Sequence, residues 1–128
     1  MRDAAAYLVH IKAQIIANPQ IVHWVAVREE AQGDMGLFRY RLTLHNGDLL
    51  EMFAHFRIVE EGVQVTKYSF HWQDANGQLR KRWDNATHHP GLSTYPYHIH
   101  DGSERNVLPH EQISAEEVLA IISSKVSD

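Results

Sequence analysis

The chain contains no cysteine. That excludes a disulfide scaffold, a thiolate nucleophile and cysteine-ligated zinc, and it fits a reducing compartment. No apolar run approaches the roughly 18 residues that cross a bilayer. The first apolar stretch is interrupted by His10 and Lys12, unlike a secretory leader. The expectation is a cytoplasmic protein without a membrane partner. An excess of positive charge is also missing. The net charge is −4 with His neutral, so the whole molecule does not attract nucleic acid and only a local basic patch would do so. HExxH, GxSxG and a glycine-rich phosphate loop are all absent, so the common hydrolase and nucleotide-site motifs do not apply and no cofactor is expected.

What is present suits a single α+β domain over residues 1–128. Of these residues 44% are hydrophobic, enough for one core and too few for two. Residues 3–17 carry Ala4, Leu8, Ile11 and Ile15 at helical spacing, with Val9 and Ile16 widening the stripe. Asn18-Pro19 ends this helix, because the residue before proline avoids the helical region. The period then changes to two. Residues 21–29, 37–44, 49–59, 63–73 and 79–84 read as strands separated by glycine-bearing turns, predicting an antiparallel β-meander of four to five strands. Residues 85–110 have no clear period and hold three of the four prolines and five of the ten histidines, which predicts a packed functional loop. Ser114 and Glu117 then form a capping box for a second helix over about 114–124. The sheet is thus flanked by N- and C-terminal helices.

Turn length sets which residues meet. A three-residue loop at 45–47 keeps apolar and polar faces separate and pairs Arg41 with Glu51. A three-residue loop at 60–62 pairs Glu51 with His71 and His55 with Lys67. A two-residue turn at Asn76-Gly77 pairs His71 with Arg82 and Ser69 with Asp84. One face therefore gathers Arg39, Arg41, Glu51, His55, Lys67, Ser69, His71, Arg82 and Asp84. Such a face is either solvated, with charges paired across strands, or a site for an anion such as phosphate. In the second reading Arg39, Arg41, Lys67 and His55 bind the substrate. His71 carries a proton and Glu51 fixes its ring. Arg82 stabilises developing charge, and Asp84, His88 and His98 complete the candidate catalytic set, with His88 or His98 as the opposite acid.

His98-x-His100 on an extended segment points both rings one way. The alternative for these rings is therefore a divalent metal, zinc or manganese, held by His88, His98 and His100 or with Asp84 as third ligand. Otherwise they bond loop backbone.

The stretch WQDANGQLRKRWDNATHHP, followed by TYPYHIHDG and a short amphipathic helix, resembles the TumE family of toxins from bacterial and archaeal toxin–antitoxin pairs. The resemblance covers most of the chain and is strongest over residues 68–102. Trp72, Arg82, Asp84, Asn85, His88, His89, Pro90, Pro96, His98 and His100 match the family pattern, while Tyr97 stands where a His often occurs. The resemblance implies the toxin of a type II pair and a small cognate antitoxin encoded beside it. It leaves the chemistry open. The expected target is RNA, cut in a ribonuclease-like reaction. The alternatives are a non-enzymatic module binding nucleic acid or protein, and a metal-dependent hydrolase built on the His-rich loop.

Overall fold

The first helix forms where the periodicity places it. In the computed structural model, which describes residues 1–125, α1 spans Ala4–Ala17 and Asp3 caps it by accepting from the Ala6 N–H. Its buried side is Ala4, Tyr7, Leu8, Ile11 and Ile15. Val9 and Ile16 do not widen that stripe: they are 63% and 71% exposed. Tyr7 lies three residues after Ala4 and four before Ile11, so it takes the inward place instead.

The sheet has seven strands in chain order, each antiparallel to the next, and not the four to five expected. They are β1 (Ile21–Gln32), β2 (Met35–Leu44), β3 (Leu49–Val59), β4 (Gly62–Gln73), β5 (Leu79–Asp84), β6 (His98–Asp101) and β7 (Val107–Pro109). The last two lie in the segment expected to be irregular. At four and three residues they are too short for alternation to announce them. β6 pairs with β5 only after an excursion over residues 85–97. α2 (Ala115–Lys125) follows, and its box closes in both directions: Ser114 Oγ accepts from the Glu117 N–H, and Glu117 Oε1 accepts from the Ser114 N–H.

Alternation sends Phe38, Tyr40, Leu42, Leu50, Met52, Phe56, Tyr68, Phe70, Trp72, Trp83 and Ile99 into one core with the buried faces of α1 and α2. The opposite sheet face is left open for polar residues.

The expected cross-strand pairs are all present: Arg41 with Glu51, Glu51 with His71, His55 with Lys67, His71 with Arg82 and Ser69 with Asp84. Two turns differ from expectation. Val59 pairs with Gly62, so the β3–β4 turn has two residues, and a bulge at Thr66 restores the pairing beyond it. Asn85 serves that bulge, accepting from the Tyr68 N–H and donating to the Thr66 carbonyl. The β4–β5 turn is a three-residue loop closed by the Asp74 N–H on the Gln78 carbonyl, and the register shift beyond it leaves Arg80 as the extra residue. Arg80 Nε donates to the buried Asp48 carboxylate at 2.6 Å, and Trp72 Nε1 donates to the same group at 2.9 Å. This contact ties the β2–β3 turn to β4 and β5.

Candidate functional site

The open face of β2–β6 and the loop after β5 enclose a cavity of about 640 Å³. Arg39 and Arg41 enter from β2, Glu51 from β3, Lys67, Ser69 and His71 from β4, Arg82 and Asp84 from β5, and His98 and His100 from β6. His88 and His89 line it from the loop. Four cationic side chains thus face two carboxylates in this cavity, although the whole chain carries a net −4. His55 is not among the lining residues. It stands beyond the Thr66 bulge, whose hydroxyl donates to the His55 carbonyl at 3.0 Å.

Glu51 joins the two β2 arginines. Arg39 Nη1 donates to Oε1 at 2.6 Å, and Arg41 Nε and Nη2 donate to Oε2 at 3.3 Å. Arg39 also stacks over the Phe53 ring at 4.7 Å. Burial pushes the Glu51 carboxyl up, but the hydrogen bonds and charges of Arg39 and Arg41 outweigh it and hold the pKa below its ordinary value. Glu51 therefore does not fix the His71 ring. Two guanidiniums reach it from the adjacent strand and are stronger partners than a neutral imidazole. His71 Nε2 instead meets Gln73 Oε1 at 3.2 Å. With that oxygen accepting, the lone pair of His71 lies on Nδ1.

Asp84 is the hub of the other half. It is 6% exposed, and four groups converge on it. His98 Nε2 lies 2.9 Å from Oδ1, and Arg82 Nε and His100 Nε2 lie 3.1 and 3.5 Å from Oδ2. The Ala86 N–H donates to Oδ1. Arg82 is held further by Glu104 at 2.7 Å and touches His100 Nε2 at 3.2 Å. His98 is only 1% exposed, and its Nδ1 donates to the Pro96 carbonyl at 2.8 Å. Its Nδ1 is held by the backbone and its Nε2 faces Asp84, so His98 is not free to act as an acid toward a bound substrate. His88 is exposed and lines the cavity.

The metal alternative also changes by one residue. The three rings that converge are His89, His98 and His100, with ligating atoms within 4.8 Å of one another. His88, expected in that set, is replaced by its neighbour. Two adjacent histidines in an irregular loop give no period that says which ring turns inward. Desolvation and the neighbouring His98, His100 and His88 lower the His89 pKa, against the pull of Asp84. Gln73 and Glu104 were also missed as positioning groups. Gln73 continues the alternation of His71 along β4 and could have been found. Glu104 reaches Arg82 from the β6–β7 turn, which no pattern in the sequence announces.

Among the described residues no helix is long and apolar enough to cross a membrane. Searches of curated proteins and of solved structures find no match. The family model described as Toxin TumE matches residues 11–126, a span that includes α1 from Ile11, the whole sheet, the cleft loop and α2. The chain belongs to the TumE toxin family.

Proposed function

We propose that this toxin acts on RNA in the β2–β6 cleft, in the cytoplasm, as a ribonuclease-like enzyme that uses no nucleotide cofactor. The observation that carries the reading is the set of four cations around one half-exposed histidine: Arg39, Arg41, Lys67 and Arg82 with His71. A phosphodiester needs this arrangement, with charge to hold the phosphate and a proton carrier beside it. Lys67 is the group freest to bind, because its ammonium has no ion-pair partner among the described residues.

In this reading, Lys67 and the outward edges of Arg39 and Arg41 grip the phosphate. Arg82, locked by Asp84 and Glu104, faces the charge that develops on its oxygens. His71 takes the proton of the attacking hydroxyl on Nδ1. His88, on the loop, returns a proton to the leaving oxygen. Family membership implies a cognate antitoxin, and a type II protein antitoxin would silence the toxin by covering this mouth.

The test is growth arrest on induction, with RNA cleavage by the purified toxin, for wild type, His71→Ala, Lys67→Ala and Arg82→Ala. Loss of both activities in a folded His71→Ala supports the reading. If the folded variants keep full toxicity and cleavage, the cleft is not the active site and a non-enzymatic binding module takes its place.

A further inference from the structure

We propose that His89, His98 and His100 form a binding site for a divalent transition metal, zinc by its donor set, with the Asp84 carboxylate beside it. This goes beyond the RNA reading and stands whether or not RNA is the substrate.

Hydrogen bonds settle the tautomers first. The Pro96 and Glu104 carbonyl oxygens can only accept. His98 Nδ1 and His100 Nδ1, at 2.8 and 2.9 Å from them, therefore carry hydrogens. Each ring is anchored through Nδ1 and turns Nε2 toward the Asp84 carboxylate. Metal-binding histidines are typically fixed this way, by a backbone acceptor on the nitrogen away from the ion. The anchor is also rigid. Ile99, between the two histidines, pairs with Trp83 and is buried in the core, so β6 cannot turn its rings away without opening the sheet.

The second observation is a surplus of acceptors. Asp84 Oδ1 sits 2.9 Å from His98 Nε2, and Oδ2 sits 3.5 Å from His100 Nε2. A carboxylate facing ring lone pairs in a buried place is repulsive unless a cation or a proton lies between them. Arg82 Nε supplies a donor to Asp84 Oδ2 at 3.1 Å, leaving His98 Nε2 against Oδ1 as the unmet pair, and Arg82 Nη2 donates to His100 Nε2 at 3.2 Å. That contact would give way to the metal, leaving Arg82 held by Asp84 and Glu104.

The third is the disposition of the rings. Their centroids are 5.0, 5.0 and 5.9 Å apart, with interplanar angles of 71°, 72° and 70°. The three planes fan around a common centre and do not stack. The ligating nitrogens lie within 4.8 Å of one another, and a tetrahedral zinc with bonds of about 2.0–2.1 Å needs them closer. His89 supplies that approach. It comes from the loop, is half-buried, and its ring has no hydrogen bond holding it among the described residues, the Leu92 N–H bonding only the backbone carbonyl. Three imidazoles and a carboxylate, without sulfur, suit Zn²⁺ or Co²⁺ over Mg²⁺, which prefers oxygen and water. With the three histidines as ligands and Asp84 beside them, a coordination position is left that a water or a phosphate oxygen can fill.

The test uses tag-free full-length protein stripped with chelator. Zn²⁺ is titrated calorimetrically, the melting temperature is followed with and without Zn²⁺, and Co²⁺ is added as a visible-absorbing probe. Expected are one equivalent of Zn²⁺, a raised melting temperature and tetrahedral Co²⁺ bands, none displaced by millimolar Mg²⁺. His89→Ala, which breaks no anchoring bond, should fold without metal and weaken Zn²⁺ binding by roughly 10²-fold or more, since even supporting groups are worth 10- to 100-fold. His71→Ala should bind Zn²⁺ as wild type does. Absence of binding by folded wild type, or equal binding by His89→Ala, overturns the site. RNA cleavage is read separately: loss of cleavage with Zn²⁺ binding intact in His71→Ala concerns only the proposed activity.

Discussion

Phe70 and His71 are neighbours in β4 that point to opposite faces, and truncating each in turn separates scaffold from site. Phe70 is fully buried. It stacks on Tyr68 at 5.2 Å and lies between Met52 and Trp83 in register. Phe70→Ala removes the ring from a core that cannot collapse around it without bending the sheet, so the loss should be about 3–5 kcal/mol. Set against the roughly 5–15 kcal/mol that holds a domain together, this is a large fraction. At about 4 °C per kcal/mol for a chain of this size, the melting temperature should fall by some 12–20 °C. His71 is half-exposed, and its side chain has one hydrogen bond, to Gln73. His71→Ala should therefore change stability by less than about 1 kcal/mol, yet lower RNA cleavage by perhaps 10²- to 10⁴-fold. Both variants are measured by urea and thermal unfolding and by cleavage at a temperature where each is folded. If His71→Ala unfolds as early as Phe70→Ala, or Phe70→Ala keeps full stability, the assignment of faces is wrong.

Other perturbations test separate parts. Asp48→Ala leaves the buried Trp72 indole N–H unpaired and frees Arg80, and should cost about 2–3 kcal/mol in urea unfolding; unchanged stability would show that the contact between the turns carries little. Lys67→Ala should leave stability within about 0.5 kcal/mol while reducing the salt dependence of single-stranded RNA binding by about 0.7 in log–log slope, measured by fluorescence anisotropy; an unchanged slope would place the phosphate elsewhere. Glu51 titrates below its ordinary value of 4.5 when folded, so the stability it contributes is present above that value and is lost as pH falls through the lower folded pKa. Glu51→Gln should be less stable than wild type near neutral pH, and the gap should close in acid; equal differences at every pH would refute the Arg39–Glu51–Arg41 coupling.

The alternation of Phe38, Tyr40 and Leu42 against Arg39 and Arg41 was enough to place the central strands and their pairing. It could not separate two routes to one register. A two-residue turn with a bulge at Thr66 gives the same pairing of His55 with Lys67 as a three-residue loop without one, and the same ambiguity hides the bulge at Arg80. The pairing of Val59 with Gly62, the register shifts and the hydrogen bonds of Asn85 and Asp48 show which route the chain takes. Pairing also does not say which neighbour a charged group chooses. Glu51 sits opposite both Arg41 and His71, and the diagonal reach of Arg39 decides the matter. β6 stayed hidden because four residues carry little periodic signal, although the shared direction of His98 and His100 was legible from their spacing.

The cleft's charges are fastened before any ligand arrives. Glu51 holds Arg39 and Arg41 together, and Asp84 and Glu104 hold Arg82 from two sides. A guanidinium held in place spends no entropy finding its target, and this is what makes a charged group effective against a developing charge. The same carboxylates lower the net attraction of the cleft, so a long polyanion is not gripped everywhere along its backbone. In the proposed reading, recognition falls on the groups left unfastened: Lys67 from the sheet and His88 from the loop, both of which line the cavity with His71. If the cleft is the site, an antitoxin that covered Lys67 and His88 would leave the ion pairs of Glu51, Asp84 and Glu104 intact, and neutralisation would require no change in the fold of the toxin.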